Sequence, residues 1–420
     1  MCKKFISLLI ILTVFVFISN AQNIVKNKKH TKLISEIDSI IKSQVEENYI
    51  PGAVIQIKKG NKIIYKKAYG YAQIYEYGHK LLIQPERMTT EHLFDIASLT
   101  KVIGTTTSIM LLVDRELIKI EDPVGKYISA FNAPDKKHIT IRNLLSHNSG
   151  LYEWYPLYYR AANKQEVYKL IGELPLNFPV GKERHYSDLG FAILGEIIET
   201  VSGLPLDIFM QENILLPLGL RNTTYNPLVS GKFAKIAASS HGNPYEKRMV
   251  HDPSLGFVFQ EIDPNQWNGW RTYTLKGEAN DGNAWYAGDG VSGAAGLFST
   301  IDDLQKVVDM LMNKGKIGGK QFISKKTIAL FLTKDDFKNG LGWMMDPENP
   351  FMKNGPKGTF GHTGFSGTSI AVVPQNNISV ILLINRQNMD LLGKGEYYNL
   401  NPIRQQVFNA VVKKVNEAEN

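Results

Sequence analysis

The chain has 420 residues, with 48 lysines and arginines against 40 acidic residues, a formal charge of +8 and a single cysteine. The basic excess is thinly spread, with no cationic stripe interleaved with aromatics, which disfavours nucleic-acid binding. The one cysteine, Cys2, falls in the N-terminal leader, so the rest of the chain has no disulfide, no thiol nucleophile and no cysteine-ligated metal.

Lys3 and Lys4 precede an apolar run from Phe5 to Ile18 that ends in Ser19-Asn20-Ala21. That is the plan of a secretory signal peptide, and residues 1–21 are expected to be removed. A retained anchor is the alternative, but the run of about 14 residues is short for a span that needs ~20. Without Lys3 and Lys4 the charge is +6. No later stretch is apolar enough to cross a bilayer; Leu189–Val201 carries Glu196 and Glu199. The expected protein is therefore exported, periplasmic or extracellular, without a stable membrane span after cleavage.

Residues 22–32 read as a polar, basic, flexible leader. Leu33, Ile34, Ile37, Ile40, Ile41 and Val45 recur at helical spacing and predict a helix to about Tyr49. Ala53–Ile57 and Ile63–Ala68 flank Lys59-Gly60-Asn61-Lys62 as a hairpin, and Thr368–Val373 and Ile378–Ile384 flank Pro374-Gln375-Asn376-Asn377 as a second. Between them lie helix patterns at Ala97–Arg115, Lys164–Ile171, Leu189–Val201, Leu206–Ile214 and Ile301–Met312, the last capped at Ser299-Thr300 with Asp303 as partner. A terminal helix is expected over Pro402–Val415. Strands at both ends and helices between predict an α/β (α+β) fold: an antiparallel sheet built from both termini, with an inserted helical lobe. The expected limits are one domain over 33–415, with an α/β lobe at 33–96 and 340–415 and a helical lobe at 97–339. Within it, residues 241–290 form a long aperiodic loop whose aromatics argue against disorder.

Ser98-Leu99-Thr100-Lys101 fits Ser-x-x-Lys, which on a helix puts both side chains on one face, one turn apart. A serine hydroxyl is a weak nucleophile until a neighbour takes its proton, and a lysine can do so when burial and nearby charge depress its pKa. Ser39-Ile40-Ile41-Lys42 also matches, but on an amphipathic surface helix with nothing downstream to complete a site. Tyr186-Ser187-Asp188 opens the Leu189 helix, and His362-Thr363-Gly364 leads into the strand at Thr368. Each alone has a bland reading: Tyr186 as core, Asp188 as an N-cap, His362 as a loop histidine.

Together, in this order, the three motifs resemble those of the serine β-lactamase and penicillin-binding protein superfamily, on the side of class C β-lactamases and D-alanyl-D-alanine carboxypeptidases. Leu144-Leu145-Ser146-His147-Asn148-Ser149-Gly150-Leu151, Pro217-Leu218-Gly219-Leu220 and Ala295-Gly296-Leu297-Phe298-Ser299-Thr300 add to the likeness. The YSDLGFAILG stretch, the earlier GYAQIYEYG and the His-Thr-Gly third motif look like periplasmic carboxypeptidase-type members. The resemblance spans roughly residues 33–415. It implies a β-lactamase/transpeptidase-like fold in which Ser98 forms an acyl-enzyme, Lys101 accepts its proton and Tyr186 relays that proton to the leaving group. It implies an oxyanion hole from the backbone N–H groups of Ser98 and Phe365, with His362 as a further catalytic position. Asp188, Thr363 and Gly364 would lie along the substrate, and no metal or organic cofactor is implied.

Two departures bear on substrate. His362 stands where many relatives have lysine, and histidine is mostly neutral at pH 7, so a permanent cation is lost until it is protonated. Asp188 replaces an asparagine whose amide can donate; an ionised carboxylate only accepts. Both weaken tight penicillin binding, and the first weakens a simple carboxypeptidase reading. His147 is expected to be a structural hydrogen-bonder, and His241 and His251 loop hydrogen-bonders rather than a metal pair. Tyr152, Trp154, Tyr155, Tyr158, Tyr159 and Arg160 divide between core and pocket wall. The expected activity is cleavage of small peptides of peptidoglycan origin that contain D-amino acids, with carboxylesterase, D-aminopeptidase or β-lactamase activity as alternatives. A non-catalytic muropeptide- or penicillin-binding protein is the alternative of another class.

Overall fold

The computed structural model describes residues 31–419, with side chains through Lys413. The expected signal peptide, and the leader up to residue 30, lie outside the described residues.

Helix α1 (31–46) buries Leu33, Ile37 and Ile41, the positions its periodicity marks. The chain then forms β1 (Gly52–Lys59), β2 (Lys62–Glu76) and β3 (Lys80–Arg87). A two-residue strand β4 (Phe94–Asp95) leads to Ser98, and a π-wound segment over Lys101–Thr106 runs on into α2 (Thr107–Asp114). The helical lobe continues with α3 (Ile141–Leu145), α4 (Lys164–Glu173), α5 (Asp188–Ser202), α6 (Leu206–Met210) and α7 (Leu216–Leu218). Strand β5 (Thr224–Tyr225), α8 (Pro244–His251), α9 (Gly282–Tyr286), β6 (Leu297–Ser299) and α10 (Ile301–Met312) follow. A small ribbon of β7 (Lys316–Ile317) and β8 (Lys320–Gln321) and helix α11 (Lys325–Phe331) precede the return to the sheet. That return is β9 (Phe360–Thr363), β10 (Ser369–Val373), β11 (Ile378–Ile384) and the terminal helix α12 (Asn401–Glu419).

The six-stranded sheet has the order β3-β2-β1-β11-β10-β9, every pair antiparallel. Strands from the two ends of the chain meet at its centre, where Ile55 faces Leu382. One face carries α1 and α12 over a core that includes Ile37, Ile41, Val407, Phe408 and Val411. Helix α10 covers the other face, where Gln305 hydrogen-bonds Gln56 and Ser379 and Asp309 pairs with Lys58 at 2.5 Å. Thr300 caps α10, its side chain accepting from Asp303 N–H, while Asp303 accepts from Asn222 N–H at 2.6 Å. The fold is thus a mixed helical and antiparallel β-lactamase/penicillin-binding-protein-like architecture.

Three local features differ from the sequence reading. Strand β3 was not expected. The 97–115 segment opens as a turn and a π-wound stretch rather than an uninterrupted α-helix. Residues 241–290 contain two short helices, α8 and α9, and are tied together by Arg271. Its guanidinium donates to Asn243 Oδ1, Ala279 O and Asn280 O. Among the described residues, no single helix is long and apolar enough to cross a membrane; α5 is mostly buried.

Candidate active site

Ser98 follows a backbone irregularity. Ala97 has φ +45°, a left-handed conformation that costs a side-chain-bearing residue energy and needs outside support. Support comes from Asp95, whose Oδ1 accepts from Ala97 N–H at 2.7 Å and whose Oδ2 accepts from Asn280 N–H at 2.7 Å. The carbonyl of Asp95 accepts from Ser366 Oγ at 2.6 Å, and Ile96 O from Thr368 Oγ1 at 3.1 Å. The turn after β9 is thereby bolted to the strand that presents Ser98. Gly364 sits in that junction, where a Cβ would come within 2.4 Å of Ile96 O.

Lys101, one turn after Ser98, is fully buried. Its ammonium donates to Ser98 Oγ at 3.1 Å and to Ala294 O at 2.9 Å, and lies 2.6 Å from Asp188 Oδ1 as an ion pair. Burial alone would lower its pKa, but the Asp188 carboxylate and Tyr186 oxygen outweigh that and hold it above the ordinary lysine value. The expectation of a lysine depressed into a free base is therefore corrected: 87 positions along the chain, Asp188 supplies a counter-charge that keeps Lys101 an ammonium.

Ser187, not Asp188, caps α5. Its hydroxyl accepts from Gly190 N–H at 3.1 Å, leaving Asp188 in the first turn to face Lys101. Tyr186 precedes this cap, with the Lys101 ammonium 5.1 Å and the Arg184 guanidinium 5.9 Å from its ring centre. Its hydroxyl makes no aligned hydrogen bond. Burial, first, and the Asp188 charge keep the phenol protonated, although Lys101 pulls the other way.

His362 is buried, and its Nδ1 lies 2.8 Å from Thr363 O. A carbonyl only accepts, so Nδ1 carries the proton and Nε2, which has no partner, is an acceptor. Burial, then the Lys101 charge, push its pKa down to about 3. The expected low-pH cation at this position is thus corrected: the ring stays neutral through the ordinary histidine range. Thr363 pairs with Ser369 at the end of β9. Among the described residues, the amides of Ser98 and Phe365 donate to no protein acceptor, as an oxyanion hole requires.

A cleft of about 340 Å³ opens over Ser98, Tyr186, Asp188 and Phe365. Trp154, Phe257, Tyr245 and Met249 form its apolar walls, with Trp154 edge-on to Phe257 at 5.6 Å. Of the aromatic cluster, Tyr155 and Tyr158 are core while Trp154 reaches the cleft. The same lining holds Glu153, Asp188, Glu246 and Asp281 and no lysine or arginine. Arg160 is turned to Tyr155 Oη, and Arg386 to the carbonyls of Phe365 and Tyr398.

The profile of the Beta-lactamase family matches residues 37–400. The chain belongs to that family. It is 30% identical over 390 residues to a Bacillus subtilis (strain 168) protein named N-acetylmuramyl-L-alanine amidase, covering 88% of this chain and 85% of that one. It is 33% identical over 374 residues to an Escherichia coli (strain K12) protein that bears the name of a D-alanyl-D-alanine carboxypeptidase, covering 84% and 82%. Among solved structures it resembles EstCE1, described as a hydrolase with promiscuous acyltransferase activity, with a TM-score of 0.66 at 22% identity over 90% of this chain and 99% of that one. A class C beta lactamase from Rhodobacter sphaeroides gives a TM-score of 0.64 at 17% identity over 90% and 99%.

For this Beta-lactamase-family hydrolase, the structure brings Ser98, Lys101, Tyr186, Asp188 and His362 to one end of the sheet. Ser39 lies exposed on α1, away from the cleft. His147 accepts from Ser187 N–H, His241 contacts Thr274 Oγ1 and Asn388 O, and His251 contacts Lys247 O. Sequence reasoning missed Asp95, Glu246 and Asp281. Glu246 is buried and Asp281, its neighbour, half-buried; both carboxyls are pushed upward, by desolvation first, and then by Asp281's charge on Glu246 and by Asp188's charge on Asp281. Only Asp95 left a signal, as the polar residue of an otherwise apolar Phe94–Ala97 run.

Proposed function

We propose that this protein is an exported serine hydrolase that forms an acyl-enzyme on Ser98 and cleaves amide bonds in small peptides containing D-amino acids, such as fragments of peptidoglycan. The observation that carries the reading is the Ser98 Oγ–Lys101 Nζ contact of 3.1 Å beside two uncommitted amides at the mouth of a partly apolar cleft. The names of the relatives support the substrate class. In this reading Ser98 Oγ attacks the acyl carbon, the amides of Ser98 and Phe365 hold the developing oxyanion, and Tyr186 lies where a proton passes to the departing amine. Trp154 and Phe257 would seat the apolar part of the acyl group.

A second reading, D-aminopeptidase activity, is favoured by Glu153 and Asp188 in a cleft lining without lysine or arginine, which suits a substrate ammonium better than a carboxylate. Turnover of D-alanyl-D-alanine peptides, their C-terminal amides, D-amino-acid amides, p-nitrophenyl esters and nitrocefin decides between them. The peptidase reading expects the peptides or their amides to lead, and a clear lead for simple esters would remove it.

A further inference from the structure

The contact between Lys101 and Asp188 raises a problem that the hydrolase reading leaves open. A lysine held as an ammonium has no lone pair with which to take the Ser98 proton. Asparagine at position 188 would leave the buried Lys101 without a counter-charge; aspartate instead pairs its ammonium with a carboxylate that is partly exposed to the cleft. Four geometric facts bear on it. Lys101 Nζ touches Ser98 Oγ, Asp188 Oδ1 and Ala294 O simultaneously, at 3.1, 2.6 and 2.9 Å. Among the described residues, no donor other than Lys101 meets Asp188 Oδ1. Asp188 lines the cleft and also a second pocket of only about 20 Å³, bounded by Asp281 and Ala294. The Tyr186 hydroxyl is within interaction range of both Ser98 and Lys101.

We propose that Asp188 is the proton acceptor of the site and acts through Lys101, which conducts the proton and is an ammonium both before and after the transfer. The proposal rests on the hydrolase reading. As Ser98 Oγ bonds to the acyl carbon and the carbonyl π pair becomes the oxyanion, the Oγ–H bond breaks and an Nζ–H bond forms. At the same time a different Nζ–H bond breaks and Oδ1–H forms. When the intermediate collapses, the leaving nitrogen takes one proton back along Oδ1–Nζ, with Tyr186 Oη placed to bridge, so Asp188 ends ionised and no proton is gained or lost. Asp188 is thus a positioning and proton-holding residue that does not itself touch the reacting carbon.

Other charges face this pair. Tyr186 stays a phenol, and His147 and His362 stay neutral because burial lowers both. The Arg184 guanidinium lies 5.9 Å from the centre of the Tyr186 ring. Asp281, across the cleft, is raised by its own burial and by Asp188's charge, and Glu246 lies beside it. Of these groups, only Asp188 is both in contact with Lys101 and a carboxylate.

The test is the pH dependence of Ser98 labelling by a fluorophosphonate probe, followed by mass spectrometry in wild type, Asp188→Asn and Asp188→Glu. The relay expects wild-type labelling to be level through neutrality. Asp188→Asn makes the Lys101 amine, now lowered by burial without its counter-charge, the only base, so the acid limb moves upward from its wild-type position to that of a buried amine and labelling below that limb falls about tenfold or more. Asp188→Glu keeps the wild-type limb at a reduced rate. If Asp188→Asn moves the limb downward and labels faster at pH 7, Asp188 is a brake on a lysine base and the relay is overturned. A limb that does not move overturns it equally, because a merely structural Asp188 changes amplitude alone. Absence of labelling in wild type at every pH overturns the hydrolase reading itself, and the relay with it.

Discussion

His147 brackets Tyr186 from three directions. Its carbonyl accepts from His185 N–H at 2.8 Å, its Nδ1 accepts from Ser187 N–H at 3.0 Å, and its ring lies 4.4 Å from the tyrosine ring at 31°. The residue has φ +57°, so the turn after α3 is bent to deliver the imidazole there. A histidine in the Leu144–Leu151 stretch therefore fixes both the orientation of Tyr186 and the start of α5. His147→Phe keeps a ring but leaves Ser187 N–H without its acceptor. It should cost about 1–3 kcal/mol of stability in urea unfolding and slow acylation through a loosened Tyr186. Unchanged stability would mean that water replaces the imidazole freely.

Ser98→Ala should abolish acylation and lower turnover by at least ~10³, since a nucleophile in an interdependent set cannot be replaced by its neighbours. Ser39→Ala, on the exposed side of α1, should leave activity unchanged. Mass spectrometry of the trapped acyl-enzyme reads both. Label on any other serine would remove Ser98 from its place in the mechanism.

The order of these motifs, and the antiparallel sheet joining Ile55 to Leu382, were legible because both depend on local signals: helical spacing around Ser98, and apolar runs either side of tight turns. What was not legible depends on distant partners. Strand β3 holds the sheet edge with Ile83 97% exposed and Pro85 within it, so its alternation is weak. The 241–290 segment takes its order from the Arg271 guanidinium, a many-to-one hydrogen-bond hub without periodicity. Most consequential, the protonation state of Lys101 is set by Asp188, and nothing in Ser-x-x-Lys reveals which charge will face it. The same residue type at the same spacing would serve as a free base beside asparagine.

Gly364 supplies a sharper test of the site's assembly. A Cβ there would meet Thr368 Oγ1 at 2.2 Å and Ile96 O at 2.4 Å, one of them backbone that cannot swing away. Gly364→Ala should push the 364–368 turn off the Ser98 strand and displace the Phe365 amide from the oxyanion position. Loss of one such donor costs about 10²–10³ in kcat. The expected signature is a fall in kcat for acylation with KM little changed, measured beside an unchanged far-ultraviolet circular dichroism spectrum. A variant with full kcat would show that the Phe365 amide does not hold the oxyanion.

His362 provides the last test, because its chemistry is opposite to that of a lysine at the same position. Its Nδ1–H is committed to Thr363 O, its Nε2 has no partner, and burial beside the Lys101 ammonium holds its pKa down to about 3. A depressed histidine favours the neutral, folded form: its contribution to stability is fully present above the usual value of 6.5 and is lost as pH falls toward 3. Acidification to about pH 5 should therefore weaken the fold slightly without charging the ring, and no histidine limb should enter the activity profile between about pH 5 and 8. Nitrogen-15 NMR of labelled histidine should show the His362 ring neutral, with its proton on Nδ1, down to about pH 4. His362→Lys would place a second ammonium in the field of Lys101 and Arg184, which already oppose charge on His362. The variant should lose several degrees in Tm and show no gain in kcat/KM for a D-alanyl-D-alanine peptide over its C-terminal amide at pH 7. A ring that titrates near 6.5, together with a gain of about fivefold for the free acid in His362→Lys, would place a solvated, cation-ready position where the structure has a dry and neutral one.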